Sequence, residues 1–279
     1  MLQKSYSQSN NGKLYLIPTP IGNMEDITLR AISTLKEVDV IFAEDTRITN
    51  ILLTKHNINK KVYSCHKYSE EKNKEKIITL LLNGKNIAIV TDRGTPLISD
   101  PGSVIVNYAI ENNIDVISLP GPSALLPALN MSGLSNERFL FYGFLNTKEQ
   151  KIKKELDSIK DLPYTIIFYE SPHRLQKTLT IMKDSLGNRK ISIAREISKL
   201  HEEIFRGTIS EAINAYETVK GEIVIILEGK KEQIEKEINY ELEVEKLIKK
   251  GCSTKDAVKQ IATKYNISKN KLYNQTKER

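Results

Sequence analysis

Short apolar runs bounded by turn formers alternate with stretches of helical period through the first 120 residues. LYLI at 14–17, VDVIFA at 38–43 and NIAIVT at 86–91 are largely apolar and of strand length, as expected of strands covered on both faces. A further strand is expected near Val62 and another over residues 115–119, with helices over 28–36, 46–56, 70–83 and 103–112. Connections of a few residues between such elements imply βαβ units and a mainly parallel sheet. The segment MSGLSNER, 131–138, breaks this pattern with Gly, Ser and charge and marks a boundary.

A second set follows. Strands are expected at 139–142 and 164–169, on either side of a lysine-rich helix over 148–160. Ser171-Pro172 reads as a helix start, Ser at the N-cap and Pro at the first helical position, with Gly187 just past the end. Strands at 191–194, 203–207 and 222–227 complete a more mixed sheet. GKKEQIEKE, 229–237, reads as a linker. Beyond it lie a helix over 241–250 and a capping-box spacing of Ser253 and Asp256. The next helix carries Ala257, Val258, Ile261, Ala262 and Tyr265 on one face, and a turn at 266–268 leads into 269–277. Three short helices so joined resemble a helix-turn-helix, the alternative being a helical tail packed on the body. The expected domains are therefore 12–130, 131–230 and 238–279, the first two α/β and the third helical.

Charge changes this picture at one end. The chain carries +7, yet residues 246–279 hold ten basic residues against Asp256 and Glu278, or +8, leaving about −1 for the rest. A basic terminus points to nucleic acid or another polyanion. The polar first residues lack a secretory apolar core, and no apolar run has the length to cross a bilayer, so a cytoplasmic protein with no membrane partner is expected. Two distant cysteines and four scattered histidines form no metal-ligand spacing, and no metal is expected.

The candidate chemistry lies at strand ends. PTPIGN at 18–23, TDRGTPLISDPG at 91–102 and PGPSA at 120–124 each follow an expected parallel strand and converge on one sheet edge, where open α/β sheets bind ligands. Small side chains and free backbone N–H groups there suit a nucleoside with polar or charged substituents. None of these loops is GxxxxGK[ST] or GxGxxG, which weighs against a nucleotide triphosphatase or a common dinucleotide-binding dehydrogenase. From the second half, YESPHR at 169–174 and ARE at 194–196 end strands that can face the same ligand, and Lys199, His201, Glu202 and Glu203 form a polar cluster. Capping and surface charge account equally well for Ser171-Pro172, Arg174 and Glu196.

Taken in order, LYLIPTPIGNMEDITLRA, AEDTR, GTPLISDPG, PGPSAL, FYESPHR, ARE and KLHEE with RGT resemble the tetrapyrrole methylase superfamily. Within it they resemble the family of small-subunit ribosomal-RNA 2′-O-ribose methyltransferase I. The blocks span residues 14–229, and the basic tail is similar to that family's small helical domain. The resemblance implies two α/β domains with a cleft for S-adenosylmethionine (SAM) between them, a homodimer, and small-subunit ribosomal RNA or the 30S subunit as partner. Carried over, it implies cofactor contacts from Asp92, Gly94, Thr95, Pro96, Ser123, Ala124, Tyr169, Glu170 and Ala194. It further implies that Pro20 and Gly22 lie nearest the substrate opening. Two departures stand out: Arg93 occupies a position where the family commonly has a small residue, and Asn146-Thr147-Lys148 replaces a more Pro- and Arg-containing version.

The reaction so implied is methyl transfer to the ribose 2′-hydroxyl of a cytidine. Alignment of acceptor oxygen, methyl carbon and sulfur is the main demand. Glu170 and His201 are the candidate bases for the hydroxyl proton. Lys199, Lys269 and Lys271 are the candidate substrate contacts, the last two to phosphate. The rival readings are methylation of a tetrapyrrole and a noncatalytic nucleic-acid-binding regulator.

Overall fold

The computed structural model describes residues 2–4, 10–66, 70–231, 240–265, 267–269 and 272. The first sheet comprises β1 (Leu14–Leu16), β2 (Val40–Ala43), β3 (Lys61–Ser64), β4 (Ile87–Val90) and β5 (Val116–Ser118), in the order β3-β2-β4-β1-β5 with every pairing parallel. Crossover helices α1 (Leu29–Glu37), α2 (Thr46–Lys55), α3 (Glu70–Leu82) and α4 (Ser103–Glu111) cover it, which is why β4 is buried at every position. Two apolar clusters, one around Ile17, Leu35 and Ile41 and one around Leu14, Phe42 and Ile77, fill the spaces on its faces.

A helix not anticipated from sequence, α5 (Leu125–Ser132), leads to the second sheet. Its Pro127 sits in the first turn, where a missing N–H costs nothing, and Gly133 ends it in a left-handed conformation. The second sheet, β6 (Phe139–Phe144), β7 (Thr165–Glu170), β8 (Lys190–Arg195), β9 (Glu203–Thr208) and β10 (Ile223–Leu227), runs β6-β7-β10-β8-β9. Only β6 and β7 pair in parallel; the other neighbours are antiparallel. Helices α6 (Glu149–Ile159), α7 (Leu175–Leu186) and α8 (Ile209–Ala215) pack around Phe168, Leu179 and Ile225. The last of these also escaped the periodicity; a Thr208–Glu211 capping box starts it.

Ile21, Ala128 and Leu129 pack with Ile167, Ala194, Val224 and Ile226, so both sheets share one apolar cluster and belong to one compact unit, Met1–Lys230. Lys231–Arg279 forms a second unit. Within it α9 (Tyr240–Lys249) and α10 (Thr254–Tyr265) bury Val244, Ala257, Val258 and Ile261 together with Leu272. Ser253 caps α10 as its spacing implies, its hydroxyl accepting the Asp256 N–H at 3.2 Å. The expected third helix, 269–277, lies mostly outside the described residues. No helix among the described residues is long and apolar enough to cross a membrane.

Candidate active site

Four loops at the carboxyl edge of the first sheet are tied to one another by hydrogen bonds. Thr19 and Gly94 exchange backbone bonds of 2.9 Å, and the Thr19 hydroxyl donates to Thr91 O at 3.0 Å, joining the loops after β1 and β4. Gly94 has φ +81°, a conformation that favours glycine. The Asp45 N–H donates to Asp92 Oδ1 at 2.9 Å, adding the loop after β2. The Thr95 hydroxyl donates to Pro122 O at 2.9 Å, adding the loop after β5. A buried carboxylate, Glu70, accepts the N–H groups of Gly102 at 3.0 Å and Val104 at 3.3 Å and so anchors the SDPG turn to the start of α4.

Backbone strain gathers around this edge. Leu97, Ser99, Glu196 and Ser198 have φ between +53° and +73°, and they account for four of the six non-glycine residues with positive φ among those described. Such conformations persist where surrounding structure enforces them, often at functional sites. Here they shape the SDPG turn from the first half and the ARE turn from the second.

Between the two sheets opens a cavity of about 550 Å³. Of the residues for which the resemblance implies cofactor contacts, Asp92, Gly94, Thr95, Ser123, Ala124, Tyr169 and Glu170 line it. Two residues of that set do not. Pro96 is buried, and Ala194 is fully buried in the apolar cluster joining the sheets. A smaller cavity of about 290 Å³ adjoins, lined by Thr19, Pro20, Gly22, Met24 and Lys199, and Ile48, Asp92 and Arg93 belong to both. The Lys199 side chain lies against Gly22, where a Cβ would come within 2.4 Å of Lys199 Cγ. Lys269 is exposed in the second unit, and Lys271 lies outside the described residues.

Neither candidate base has the geometry for that role. The Glu170 side chain is 1% exposed and its oxygens are engaged, accepting the Ser171 N–H at 2.8 Å and the Thr178 hydroxyl at 2.6 Å, with Arg174 Nε 3.4 Å away. Glu170 is a brace that fixes the end of β7 and with it Tyr169. His201 is exposed and lines neither cavity. Ser171 stands at the expected N-cap position with Pro172 next to it in the first turn, but without the expected side-chain bond. Its hydroxyl caps nothing, and a 3₁₀ turn, Pro172–Arg174, precedes α7 while Glu170 takes the Ser171 N–H.

Sequence reasoning passed over Glu44, Asp100 and Glu222 as cavity residues. Glu44 and Asp100 face the cavity beside Asp92. Burial, then the Asp92 charge, pushes the Glu44 carboxyl up from its ordinary value. Burial, then Glu44 and Asp92, pushes Asp100 up to about 7. Burial also raises the Tyr169 phenol, which faces Ser123. One wall of the cavity is thus acidic, while apolar Ile21, Ile48, Ile98, Phe144, Ile197 and Val224 line part of the remainder. This arrangement suits a ligand with a flat apolar part and a cationic part.

The two sheets and the cleft at their parallel-strand ends define the class: residues 13–213 match the model of the family described as Tetrapyrrole (Corrin/Porphyrin) Methylases. The uroporphyrin-III C-methyl transferase of Thermus thermophilus, solved with S-adenyl homocysteine, has this fold, with a TM-score of 0.56 at 19% identity over 78% of this chain and 98% of that one. The ribosomal RNA small subunit methyltransferase I of Bacillus subtilis is 44% identical over 98% of either chain. The protein of that name from Thermotoga maritima is 47% identical over 78% of this chain and 99% of its own. The present chain belongs to the ribosomal RNA small subunit methyltransferase I family of the tetrapyrrole methylases.

Proposed function

We propose that this chain transfers a methyl group from SAM to the ribose 2′-hydroxyl of a cytidine in small-subunit ribosomal RNA, acting as a homodimer. The observation that carries the reading is the pair of adjoining cavities, the larger with an acidic wall and the smaller with Arg93 and Lys199 at its edge. The reading takes 12–130 and 131–230 as the two sides of the cleft and 238–279 as an RNA-contacting domain. The names of the relatives agree with methylation of small-subunit ribosomal RNA, and the similarity to the Bacillus subtilis protein covers 98% of the chain.

The residues present fit SAM. Glu44, Asp92 and Asp100 supply negative charge for a sulfonium and an ammonium, and Gly94, Thr95, Ser123, Ala124 and Tyr169 supply a close-fitting backbone and an aromatic face. When bound, SAM supplies an electrophilic methyl group. The chain's own work is positioning: loops laced together by Thr19, Asp92 and Thr95 hold the donor side rigid, and the smaller cavity directs the acceptor oxygen toward it. With Glu170 engaged and His201 lining neither cavity, the hydroxyl proton passes to a carboxylate of the acidic group, or to water beside it.

Asp100 gives this site a pH dependence of known sign. Below about 7 it is neutral, and above it the wall gains a negative charge. SAM affinity is expected to rise with pH up to about 7, by at most about tenfold per pH unit, and then to level off. Titration calorimetry from pH 5.5 to 8.5 checks this, and Asp100→Asn should flatten the profile. By the same linkage Asp100 favours the SAM-free fold at low pH, and this contribution is lost as pH rises through 7.

The deciding experiment follows tritium from methyl-labelled SAM into small subunits isolated from a strain lacking this protein. Label in an alkali-resistant dinucleotide establishes both the reaction and the target atom. Label absent from subunits, ribosomal RNA and assembly intermediates, despite SAM binding, would point to a small-molecule acceptor. The tail reading has its own test. Lys269→Ala with Lys271→Ala should weaken RNA binding a few-fold and reduce its salt dependence by up to about two phosphate contacts, leaving SAM affinity unchanged.

A further inference from the structure

An ion cluster stands where the two cavities meet, the throat between them. Arg93, from the loop after β4, forms an ion pair with Glu222 at the start of β10, so the contact crosses from the first sheet's loops to the second. Lys199 reaches the same carboxylate at 3.0 Å and Glu196 at 2.7 Å. The two acids are held differently. Glu196 is 19% exposed and also accepts the Glu222 N–H at 2.9 Å, so the backbone fixes it. The Glu222 side chain is 54% exposed, and the hydrogen bonds of its carboxylate are to the two cations.

Two cations and two carboxylates leave this cluster neutral. Removing Glu222 alone leaves Arg93 and Lys199 against Glu196, a net positive charge at the edge of the smaller cavity. Exposed ion pairs contribute little to stability, so the Glu222 carboxylate is readily exchanged for another anion. A phosphodiester can take its place, since the guanidinium fork matches two phosphate oxygens as it matches the two of a carboxylate. Arg93 lies on both cavities, so an anion held there sits beside the point where an acceptor meets the donor side.

We propose that Arg93 and Lys199 form a phosphate clamp at this throat, that Glu222 occupies it in the free protein, and that a backbone phosphate of the acceptor strand displaces Glu222 on binding. The proposal rests on the RNA-methylating reading and adds to it the group that holds the acceptor strand and the group that competes with it. Glu222 also acts as a selectivity filter: acceptors without a phosphate beside the reacting ribose leave the clamp occupied.

The test measures binding of a transcribed small-subunit RNA to the full-length protein by filter retention between 50 and 200 mM salt, together with methyl transfer and thermal melting. The clamp predicts opposite signs for the two partners. Glu222→Gln should tighten RNA binding about three- to tenfold, because the competitor is gone. Arg93→Ala should weaken it about tenfold and lower the salt slope by about one. In Arg93→Ala/Glu222→Gln the gain from Glu222→Gln should shrink to that of Lys199 alone. Arg93→Gln repeats the test with a side chain of similar reach. If Arg93 and Glu222 only tie the sheets together, both single variants lower Tm alike and neither tightens RNA binding, which overturns the clamp. A wild-type protein that methylates the RNA while Glu222→Gln gains no affinity refutes the clamp alone. A wild-type protein that binds SAM yet neither binds nor methylates the RNA refutes the reading beneath it.

Discussion

Glu170→Ala is expected to lower folding stability by about 3 kcal/mol, because it strips partners from a buried hydroxyl and two half-buried groups at once. The Thr178 hydroxyl and the Ser171 N–H lose their acceptor, and Arg174 loses its nearby carboxylate. For a chain of this size the loss corresponds to a fall in Tm of roughly 6–12 °C, measurable by calorimetry. Methyl transfer should fall with it, since the end of β7 carries Tyr169 into the cavity. Glu170→Gln separates brace from base. The amide keeps an oxygen for the Ser171 N–H, and the Thr178 hydroxyl can turn to accept from its nitrogen. Transfer should therefore stay within about tenfold of wild type, with an unchanged pH profile. Loss of a general base costs about 10²–10⁴-fold instead, and a deficit of that size in a well-folded Glu170→Gln protein would restore Glu170 as the base.

The central strands of the first sheet, β1, β2 and β4, were legible because each is an apolar run, a pattern that survives without knowledge of partners. The full extent of β6 was not, since the bulge between Phe141 and Gly143 breaks the alternation that marks a strand. The seven residues of α8 are too few for a helical period to show. At the site, motif adjacency identified the loops but not the direction of each side chain. Pro96 follows Thr95 in the chain, yet it is buried while Thr95 lines the cavity, and Ala194 belongs to the sheet interior. Glu44, Asp100 and Glu222 come together only through the packing of three distant loops. Glu70 acts on Gly102 and Val104 across more than thirty residues, a relation no local spacing encodes.

Asp92→Ala is expected to weaken SAM binding by about ten- to a hundredfold, the equivalent of one charged hydrogen bond of about 1.5–3 kcal/mol. Two contributions are removed together. Asp92 Oδ1 holds the Asp45 N–H and so fixes the loop after β2 against the loop after β4, and its charge is one of three on the acidic wall. Asp92→Asn distinguishes them, because its amide oxygen can still accept from Asp45 while the charge is gone. The tie belongs to a loop edge that is only half-buried, so Tm should fall by a few degrees in the alanine variant and recover in the asparagine variant. SAM affinity should not recover, because attraction for a sulfonium and an ammonium in a partly desolvated cavity depends on the charge. Equilibrium dialysis with labelled SAM reads the two variants directly. Wild-type affinity and transfer in Asp92→Ala would mean that the methyl donor binds elsewhere and that the larger cavity serves another ligand. Recovery of affinity in Asp92→Asn would assign the role of Asp92 to loop geometry and leave Glu44 and Asp100 to hold the cation.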